Sequence, residues 1–172
     1  YKGHDAIIGG GMGRLPIQGV AWYRKKIEIP LADKSKNIFL DIDGAMSYAM
    51  VWVNGKLVGG WPNGYTSWQL DITPYVIFGK ENQISIRLDN PISSSRWYPG
   101  GGIYRDIWLT KVNPIHIENW GTTITTKNVT EKNATIDFKA NIANNSNFDE
   151  KLEIATEIFF LNQKIEIKNH LF

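Results

Sequence analysis

Two predicted loops carry the side chains best suited to hold a sugar. The loops span residues 60–66 and 89–102 and are rich in Gly, Pro, Ser and Asn, which is typical of turns. Their candidate substrate-proximal residues are Trp61 and Tyr65 in the first loop and Arg96, Trp97 and Tyr98 in the second. Flat aromatic rings pack on the C–H face of a pyranose, and a guanidinium donates hydrogen bonds to hydroxyl groups. Because loops gather at the ends of an antiparallel sandwich, the sequence predicts that the two loops lie together.

Other chemistries find little support in the sequence. The Gly9–Gly13 cluster lacks the preceding strand and following helix that a phosphate-binding loop needs. His4, His116 and His170 show no metal-ligand spacing, and no cysteine is present, so we expect no metal and no cofactor. Sugar hydrolysis needs two carboxylates facing one bond, but Asp41, Asp43 and Asp106 alternate within strands and are interpreted as outward-facing, solvated charges. We therefore predict no catalytic residue in this chain.

Composition describes an ordinary globular chain with unusually many aromatic rings. The 172 residues include seven Trp, seven Tyr and seven Phe, which favours a β-rich core or a sugar-stacking surface. The net charge is +2 and the charges are scattered, so a nucleic-acid partner is not expected. No apolar run approaches the ~18 residues needed to span a bilayer, so no membrane partner is expected either. The compartment stays open between a periplasmic or secreted and a cytoplasmic location in a bacterium.

Short strands separated by turn signals fill the chain up to residue 113. They are predicted at residues 22–29, 37–43, 47–53, 56–59, 67–72, 83–88 and 103–111. The Asn54-Gly55 pair between two apolar runs predicts a β-hairpin, since both central residues of a type I′ turn need positive φ. Thr73 and Pro74 predict a short helical turn with Thr73 as its N-cap. We expect Trp68 in the core, whereas Trp22, Trp52 and Trp108 should pack on or cover the sheets.

The composition changes after Pro114. Asn, Thr and Lys become more frequent and aromatic residues rarer, with strands predicted at 115–118, 121–127, 134–143 and 151–160. In the run 134–143 the apolar residues Ile136, Phe138, Ala140 and Ile142 share one face, as in a half-buried strand. The whole pattern predicts an all-β chain built as a sandwich or barrel, with domains at 1–113 and 114–172.

An ordered series of motifs between residues 14 and 113 resembles a known enzyme family. The series comprises Gly19-Val20-Ala21-Trp22-Tyr23-Arg24-Lys25-Lys26, Asp43-Gly44-Ala45, Val51-Trp52-Val53-Asn54-Gly55, Val58-Gly59, Gly64-Tyr65-Thr66, Asp71-Ile72-Thr73, Asn82, Ser95-Arg96-Trp97-Tyr98-Pro99-Gly100 and Gly102-Ile103-Tyr104-Arg105. In this order the motifs resemble the N-terminal domain of family 2 glycoside hydrolases, the β-galactosidases and β-glucuronidases.

This resemblance implies a jelly-roll β-sandwich of the galactose-binding type, followed by the start of an immunoglobulin-like sandwich. A complete sandwich of the second kind needs about 100 residues, so we expect residues 114–172 to be a truncated domain. The family's catalytic glutamates lie in a later barrel, where the acid/base glutamate follows an asparagine, and this chain has no Asn-Glu pair. The implied partners are that downstream barrel and a β-linked glycan or galactoside. The position of Arg96, where some large galactosidases carry an acidic sugar contact, implies a different contact or none.

Three functional hypotheses follow from the residues and the resemblance. The first is an accessory domain of a retaining β-glycosidase, with β-galactosidase preferred, that braces the barrel and lends loops to the rim of the substrate pocket. The second is a carbohydrate-binding module that holds glycan by itself. The third is a purely structural domain, for instance of a β-glucuronidase-like enzyme.

Overall fold

The computed structural model describes residues 19–91, 101–160 and 162–171. Strands dominate these residues, and the strand pairs whose register is described are antiparallel. The predicted all-β antiparallel class is therefore confirmed. The chain divides into two compact units, Tyr1–His116 and Ile117–Phe172. The predicted domain limit after residue 113 stays a prediction.

The first unit is a sandwich of two sheets. Its elements are β1 (Gly19–Ile29), a 3₁₀ turn (Leu31–Asp33), β2 (Asn37–Ile42), β3 (Ala45–Met46), β4 (Ala49–Val53), β5 (Lys56–Trp61), β6 (Trp68–Asp71), a second 3₁₀ turn (Thr73–Tyr75), β7 (Lys80–Asn90), β8 (Gly102–Ile103) and β9 (Ile107–Val112). One sheet has the strand order β1-β7-β4-β5, the other β6-β2-β9, and β3 pairs with β8.

Alternating residues of the strands form the core between these sheets. In β2 the buried residues Ile38, Leu40 and Ile42 alternate with half-buried ones, which is the period of a strand with one face inward. The buried apolar residues are Ile29, Ile38, Leu40, Ile42, Ala45, Ala49, Val51, Val53, Trp68, Ile72, Ile84, Ile86 and Leu88. Burial of this apolar area is the main favourable contribution to folding of the unit.

Trp22, Trp52 and Trp68 lie where the sequence predicts. Trp68 is buried in the core. Trp22 and Trp52 lie on the outer face of the four-stranded sheet with ring centroids 5.0 Å apart, and the Arg24 guanidinium lies 5.3 Å from the Trp22 ring. The predictions of a core Trp68 and of sheet-covering Trp22 and Trp52 are confirmed.

The β4–β5 hairpin is the one that the Asn54-Gly55 pair predicts. Asn54 has a φ of 51° and Gly55 a φ of 80°, as a type I′ turn requires. Val53 pairs with Lys56 across the turn. The Asn54 side chain also bonds to residues outside the hairpin. Its Nδ2 donates to Tyr75 O at 2.9 Å, and its Oδ1 accepts from Gln83 N at 3.0 Å.

A buried side chain, Asn82, joins this hairpin to two further segments. Its Oδ1 accepts hydrogen bonds from Asn54 Nδ2 at 2.7 Å and Ile77 N at 2.6 Å. Its Nδ2 donates to Ile77 O and Lys80 O, both at 2.9 Å. Asn82 is 0% exposed and thus uses two donor hydrogens and two acceptor lone pairs, the full capacity of its amide group. The Asn82 network therefore ties the hairpin, the loop after Tyr75 and the start of β7 together.

Thr73 does not cap the second 3₁₀ turn as predicted. The N-cap residue is Ile72, and no side chain makes a capping hydrogen bond. Thr73 Oγ1 instead accepts from Ile38 N at 2.8 Å and donates to Ile38 O at 3.3 Å. The Thr73 N–H donates to Asp71 Oδ1 at 2.9 Å. Thr73 is thus the first residue of the turn and not its cap. Its hydroxyl consequently fastens the turn to β2.

In the part of the chain that the structure describes, β1 and β9 are edge strands of the two sheets, and their side chains border a common space. A cleft of about 330 Å³ lies there, lined by Tyr23, Arg24, Lys25, Ile27, Leu40, Ile84, Ile86, Ile103, Ile107 and Leu109. Most of these side chains are apolar. Ile84 and Ile86 of β7 form part of the cleft wall and remain buried.

The second unit continues from a strand that begins in the first. Its strands are β10 (Ile115–Lys127), β11 (Thr135–Asn144), β12 (Glu153–Phe160) and β13 (Gln163–Leu171), paired β10-β11 and β12-β13. The prediction of two strands at 115–118 and 121–127 is wrong, because one strand, β10, continues through Trp120. Trp120 has a φ of 54° within this strand. A strand at Gln163–Leu171 was not predicted.

The strand predicted at 134–143 is present as β11, but the predicted alternation of burial along it is not observed. Ala140 and Ile142 are half-buried, whereas Ile136 is 47% and Phe138 is 40% exposed. The immunoglobulin-like identity of the second domain stays a prediction.

Removing the Asn82 side chain should destabilise the first unit. Asn82→Ala leaves the Ile77 N–H and two carbonyl groups without their buried partner, and each such group costs about 1–3 kcal/mol. We expect a loss of at least about 2 kcal/mol in the free energy of unfolding, measured by urea titration. The neighbouring, exposed Gln83→Ala should change it by less than about 0.5 kcal/mol. Equal midpoints for Asn82→Ala and the unmodified chain would contradict this role.

The Asp33 ion pair should make stability depend on pH in the acid range. The Lys111 and Lys36 ammonium groups, with Nζ atoms 2.7 and 3.0 Å from its carboxylate oxygens, lower the pKa of buried Asp33. The pair therefore stabilises the folded chain fully above the unfolded pKa of about 3.9. That stabilisation is lost as the pH falls through the lower folded pKa.

The measurement is thermal unfolding of Asp33→Asn between pH 7 and pH 2.5. We expect the variant to melt below the unmodified chain at pH 7 and the difference to shrink below about pH 4. Asp106→Asn, at an exposed position, is the control and should show no such trend. A difference for Asp33→Asn that stays constant with pH would rule out the ion pair as its cause.

Candidate functional site

Four exposed aromatic side chains belong to neighbouring segments at one end of the first unit. Tyr48, Trp61, Tyr65 and Tyr104 are 52%, 44%, 47% and 50% exposed. Backbone contacts join their segments, since Tyr48 N bonds to Pro62 O at 3.1 Å and Tyr104 Oη bonds to Gly64 O at 2.7 Å. We call these four residues the aromatic end. It contains both candidate residues that the structure describes, Trp61 and Tyr65.

Trp61 belongs to a strand rather than to the predicted loop. It is the last residue of β5 and pairs with Ala49 of β4. Its Nε1 donates to Thr66 Oγ1 at 2.8 Å, so the indole spans the following turn and its orientation is fixed. The loop prediction failed here because Gly59 and Gly60 suggest a turn, whereas they allow close packing: a Cβ on Gly60 would lie 2.4 Å from Ala49 O.

Tyr65 is positioned by the two residues before it. Its N–H bonds to Asn63 Oδ1 at 2.8 Å, an Asx-type turn. Gly64 is buried against Met46, and a Cβ at this position would lie 2.6 Å from Met46 Sδ and 2.9 Å from Met46 Cα. Only glycine fits so close an approach. The turn therefore holds Tyr65 at the surface beside the β3–β8 pair.

Sequence reasoning missed two members of the aromatic end, Tyr48 and Tyr104. Tyr48 was assigned to a strand, but it precedes β4 and has a φ of 47°. The adjacent Ser47 is fixed to Asp89 through two hydrogen bonds of 2.8 and 2.7 Å. Tyr104 was also assigned to a strand, yet it lies between β8 and β9 and donates its hydroxyl to the first loop. Gly44 packs against the Tyr104 ring so closely that a Cβ at position 44 would lie 2.7 Å from Tyr104 Cζ. This glycine was the one signal in the sequence that could have placed Tyr104.

Arg96, Trp97 and Tyr98 lie outside the described residues. The segments on either side of them are described, and both lie at the aromatic end. Asp89 at the end of β7 bonds to Ser47, and Gly102 of β8 pairs with Met46. That these three side chains lie close to Trp61 and Tyr65 therefore stays a prediction.

The predicted outward carboxylates face outward but are hydrogen-bonded rather than simply solvated. Asp41 Oδ1 accepts from Gln69 Nε2 at 2.6 Å, and its Oδ2 accepts from Thr110 Oγ1. Asp43 Oδ2 accepts from Trp108 Nε1 at 3.0 Å. Asp106 is exposed, in agreement with the prediction.

The part of the chain that the structure describes contains neither a group of metal-ligating side chains nor a membrane-spanning helix. No group of three or more His, Cys, Asp or Glu side chains could hold a metal ion there. Likewise, none of its helices is long and apolar enough to cross a membrane.

Comparison with known proteins identifies relatives of the chain. A family model described as a glycosyl hydrolase 2 galactose-binding domain-like domain matches residues 17–98. A β-galactosidase of Bacteroides ovatus is 39% identical over 151 residues, which are 87% of this chain and 18% of that protein. A β-glucuronidase of Formosa agariphila is 30% identical over 162 residues, 82% of this chain and 16% of that protein.

Solved structures agree with these matches. A glycosyl hydrolase family 2 member from Bacteroides cellulosilyticus aligns over 91% of this chain and 22% of its own, with a TM-score of 0.84 and 39% identity. A β-glucuronidase of Bacteroides uniformis aligns over 91% and 20%, with a TM-score of 0.83 and 29% identity. The chain spans about a fifth of the length of these relatives. On these matches the chain belongs to glycoside hydrolase family 2, and residues 17–98 match that family's galactose-binding-like domain.

Proposed function

We propose that this chain is a non-catalytic part of a retaining β-glycosidase, and that its aromatic end forms part of the rim of the substrate pocket. The observation that carries the proposal is the aromatic end itself. Four exposed rings lie there, and those of Trp61 and Tyr104 are fixed by hydrogen bonds, although exposed apolar surface costs free energy unless something covers it. A catalytic domain seated at this end, with a sugar between, would cover them.

The catalytic carboxylates belong, on this proposal, to a part of the enzyme outside these residues. The relatives are about five times as long as the matched segment and are named β-galactosidases or β-glucuronidases. We favour a β-galactosidase, because the relative of that name is 39% identical to this chain. Two relatives that are named β-glucuronidase or putative β-glucuronidase are 30% and 36% identical. The chain alone should therefore not hydrolyse nitrophenyl β-galactoside, and turnover by the purified chain would overturn the proposal.

Loss of the Trp61 ring should weaken substrate binding in the complete enzyme. Trp61→Ala removes a stacking surface without touching catalytic groups, so we expect KM for a β-galactoside to rise about five- to tenfold with kcat little changed. Tyr65→Ala should act in the same direction. The measurement is steady-state kinetics with β-galactoside and β-glucuronide substrates in parallel.

Trp22→Ala is the matched control for this experiment. Trp22 is also a half-exposed tryptophan of the first unit, at 46%, but it lies on the outer face of the four-stranded sheet. We expect its replacement to leave KM unchanged. If Trp61→Ala lowers only the melting temperature and not the affinity, the domain is a structural brace, and the proposed role at the pocket rim is wrong.

A further inference from the structure

A row of side chains crosses the outer face of the β6-β2-β9 sheet, away from the aromatic residues discussed above. In the strand register Asp41 of β2 lies opposite both Gln69 of β6 and Trp108 of β9. Opposite residues of antiparallel strands share a face, and Ile38, Leu40 and Ile42 occupy the other face, in the core. Thr110 lies two residues beyond Trp108, and Asp43 two beyond Asp41, on this same outer face. We call these five residues the sheet-face row.

Trp108 is the most exposed member of the row, and its ring is fixed. The side chain is 56% exposed, yet its Nε1 donates to Asp43 Oδ2 at 3.0 Å. The Asp43 backbone is fixed in turn, since its N–H bonds to Asp106 O at 3.0 Å and its carbonyl accepts from Ser67 Oγ at 3.2 Å. An exposed indole held in one orientation loses little conformational entropy when a ligand packs on it.

Polar groups beside the ring are ordered as well. Gln69 Nε2 and Thr110 Oγ1 donate to the two oxygens of Asp41, so the amide, the hydroxyl and the carboxylate hold one another in place. The Gln69 amide also carries a second N–H and a carbonyl oxygen, which can exchange hydrogen bonds with a ligand. Asp43 Oδ1, the second oxygen of the carboxylate that fixes the indole, is an acceptor for a hydroxyl donor.

We propose that the sheet-face row is a saccharide-binding surface for a neutral pyranose. The C–H face of the sugar ring packs on Trp108, and the hydroxyl groups donate to Asp43 and exchange hydrogen bonds with Gln69. Charge selects the class of sugar, since the row carries two carboxylates and no cation. A uronic acid would bring a like charge close to both carboxylates, which opposes its binding. This site is independent of the role proposed for Trp61 and Tyr65.

The test is binding by the whole chain, observed through the Trp108 indole N–H resonance and by calorimetry. The probes are lactose, methyl β-galactoside and glucuronate at neutral pH. We expect the two neutral sugars to shift the resonance in a saturable way, with affinities in the millimolar range, and glucuronate to have no effect. Saturable binding of glucuronate at equal or higher affinity would overturn the assignment.

Variants locate the site. Trp108→Ala should weaken binding of the neutral sugars at least about tenfold, and Asp43→Asn, which keeps the acceptor for the indole, should weaken it less. Trp22→Ala should bind as the unmodified chain does. Trp108→Phe, which keeps a ring, provides a second variant if the alanine variant melts early, and it should retain part of the affinity.

Several outcomes would overturn the proposal. Neutral sugars that bind equally well to Trp108→Ala, or that cease to bind to Trp61→Ala instead, would remove the site from the sheet-face row. The second of these results would leave the proposed role of Trp61 intact, and the kinetic experiment on the complete enzyme tests that role separately. Absence of sugar binding, with self-association in sedimentation that Trp108→Ala abolishes, would make the face a protein contact.

Discussion

The arrangement of the first unit depends on one buried amide. Asn82 is fully enclosed and satisfies four hydrogen bonds with Asn54, Ile77 and Lys80, groups that belong to a hairpin, a loop and a strand. A buried amide of this kind specifies structure, because any other register of these segments leaves polar groups without partners in a low-dielectric interior. The β4–β5 hairpin, whose far end carries Trp61, thereby receives a fixed position relative to β7.

A second constraint acts at the opposite end of the same strands. There the chain approaches itself too closely for side chains at Gly44, Gly60 and Gly64. These contacts, with the Tyr104 hydroxyl on the Gly64 carbonyl, hold the turn that presents Tyr65. The exposed rings are therefore carried by rigid strand ends and a tight turn rather than by long loops. Rigid mounting of this kind suits a surface that must meet a partner or a sugar in one orientation.

The sequence predicts those features that depend on local chemistry. The strand-like run at 37–43 predicts β2, and the positive φ values required of Asn54 and Gly55 predict the hairpin, because both signals lie within a few residues. Features that depend on distant contacts were missed. Nothing near Asn82 marks it as the centre of a network, and Thr73 resembles a cap until its contact with Ile38 is known. Tyr48 and Tyr104 join the aromatic end through hydrogen bonds to Pro62 and Gly64, which are distant in sequence, and the hydrogen bond from Trp108 to Asp43 spans 65 positions.

The edge strand β1 affects how readily the isolated chain aggregates. Among the described residues β1 pairs with β7 alone, and apolar side chains such as Ile27, Ile103 and Ile107 line the cleft beside it. An unpaired edge next to apolar side chains is a template for another strand, and therefore for aggregation at high concentration. Three consecutive cations, Arg24, Lys25 and Lys26, occupy the middle of this strand. Their mutual repulsion between copies opposes edge-to-edge pairing, so dilute, low-salt buffer should favour a monodisperse preparation, and salt, which screens that repulsion, should favour precipitation.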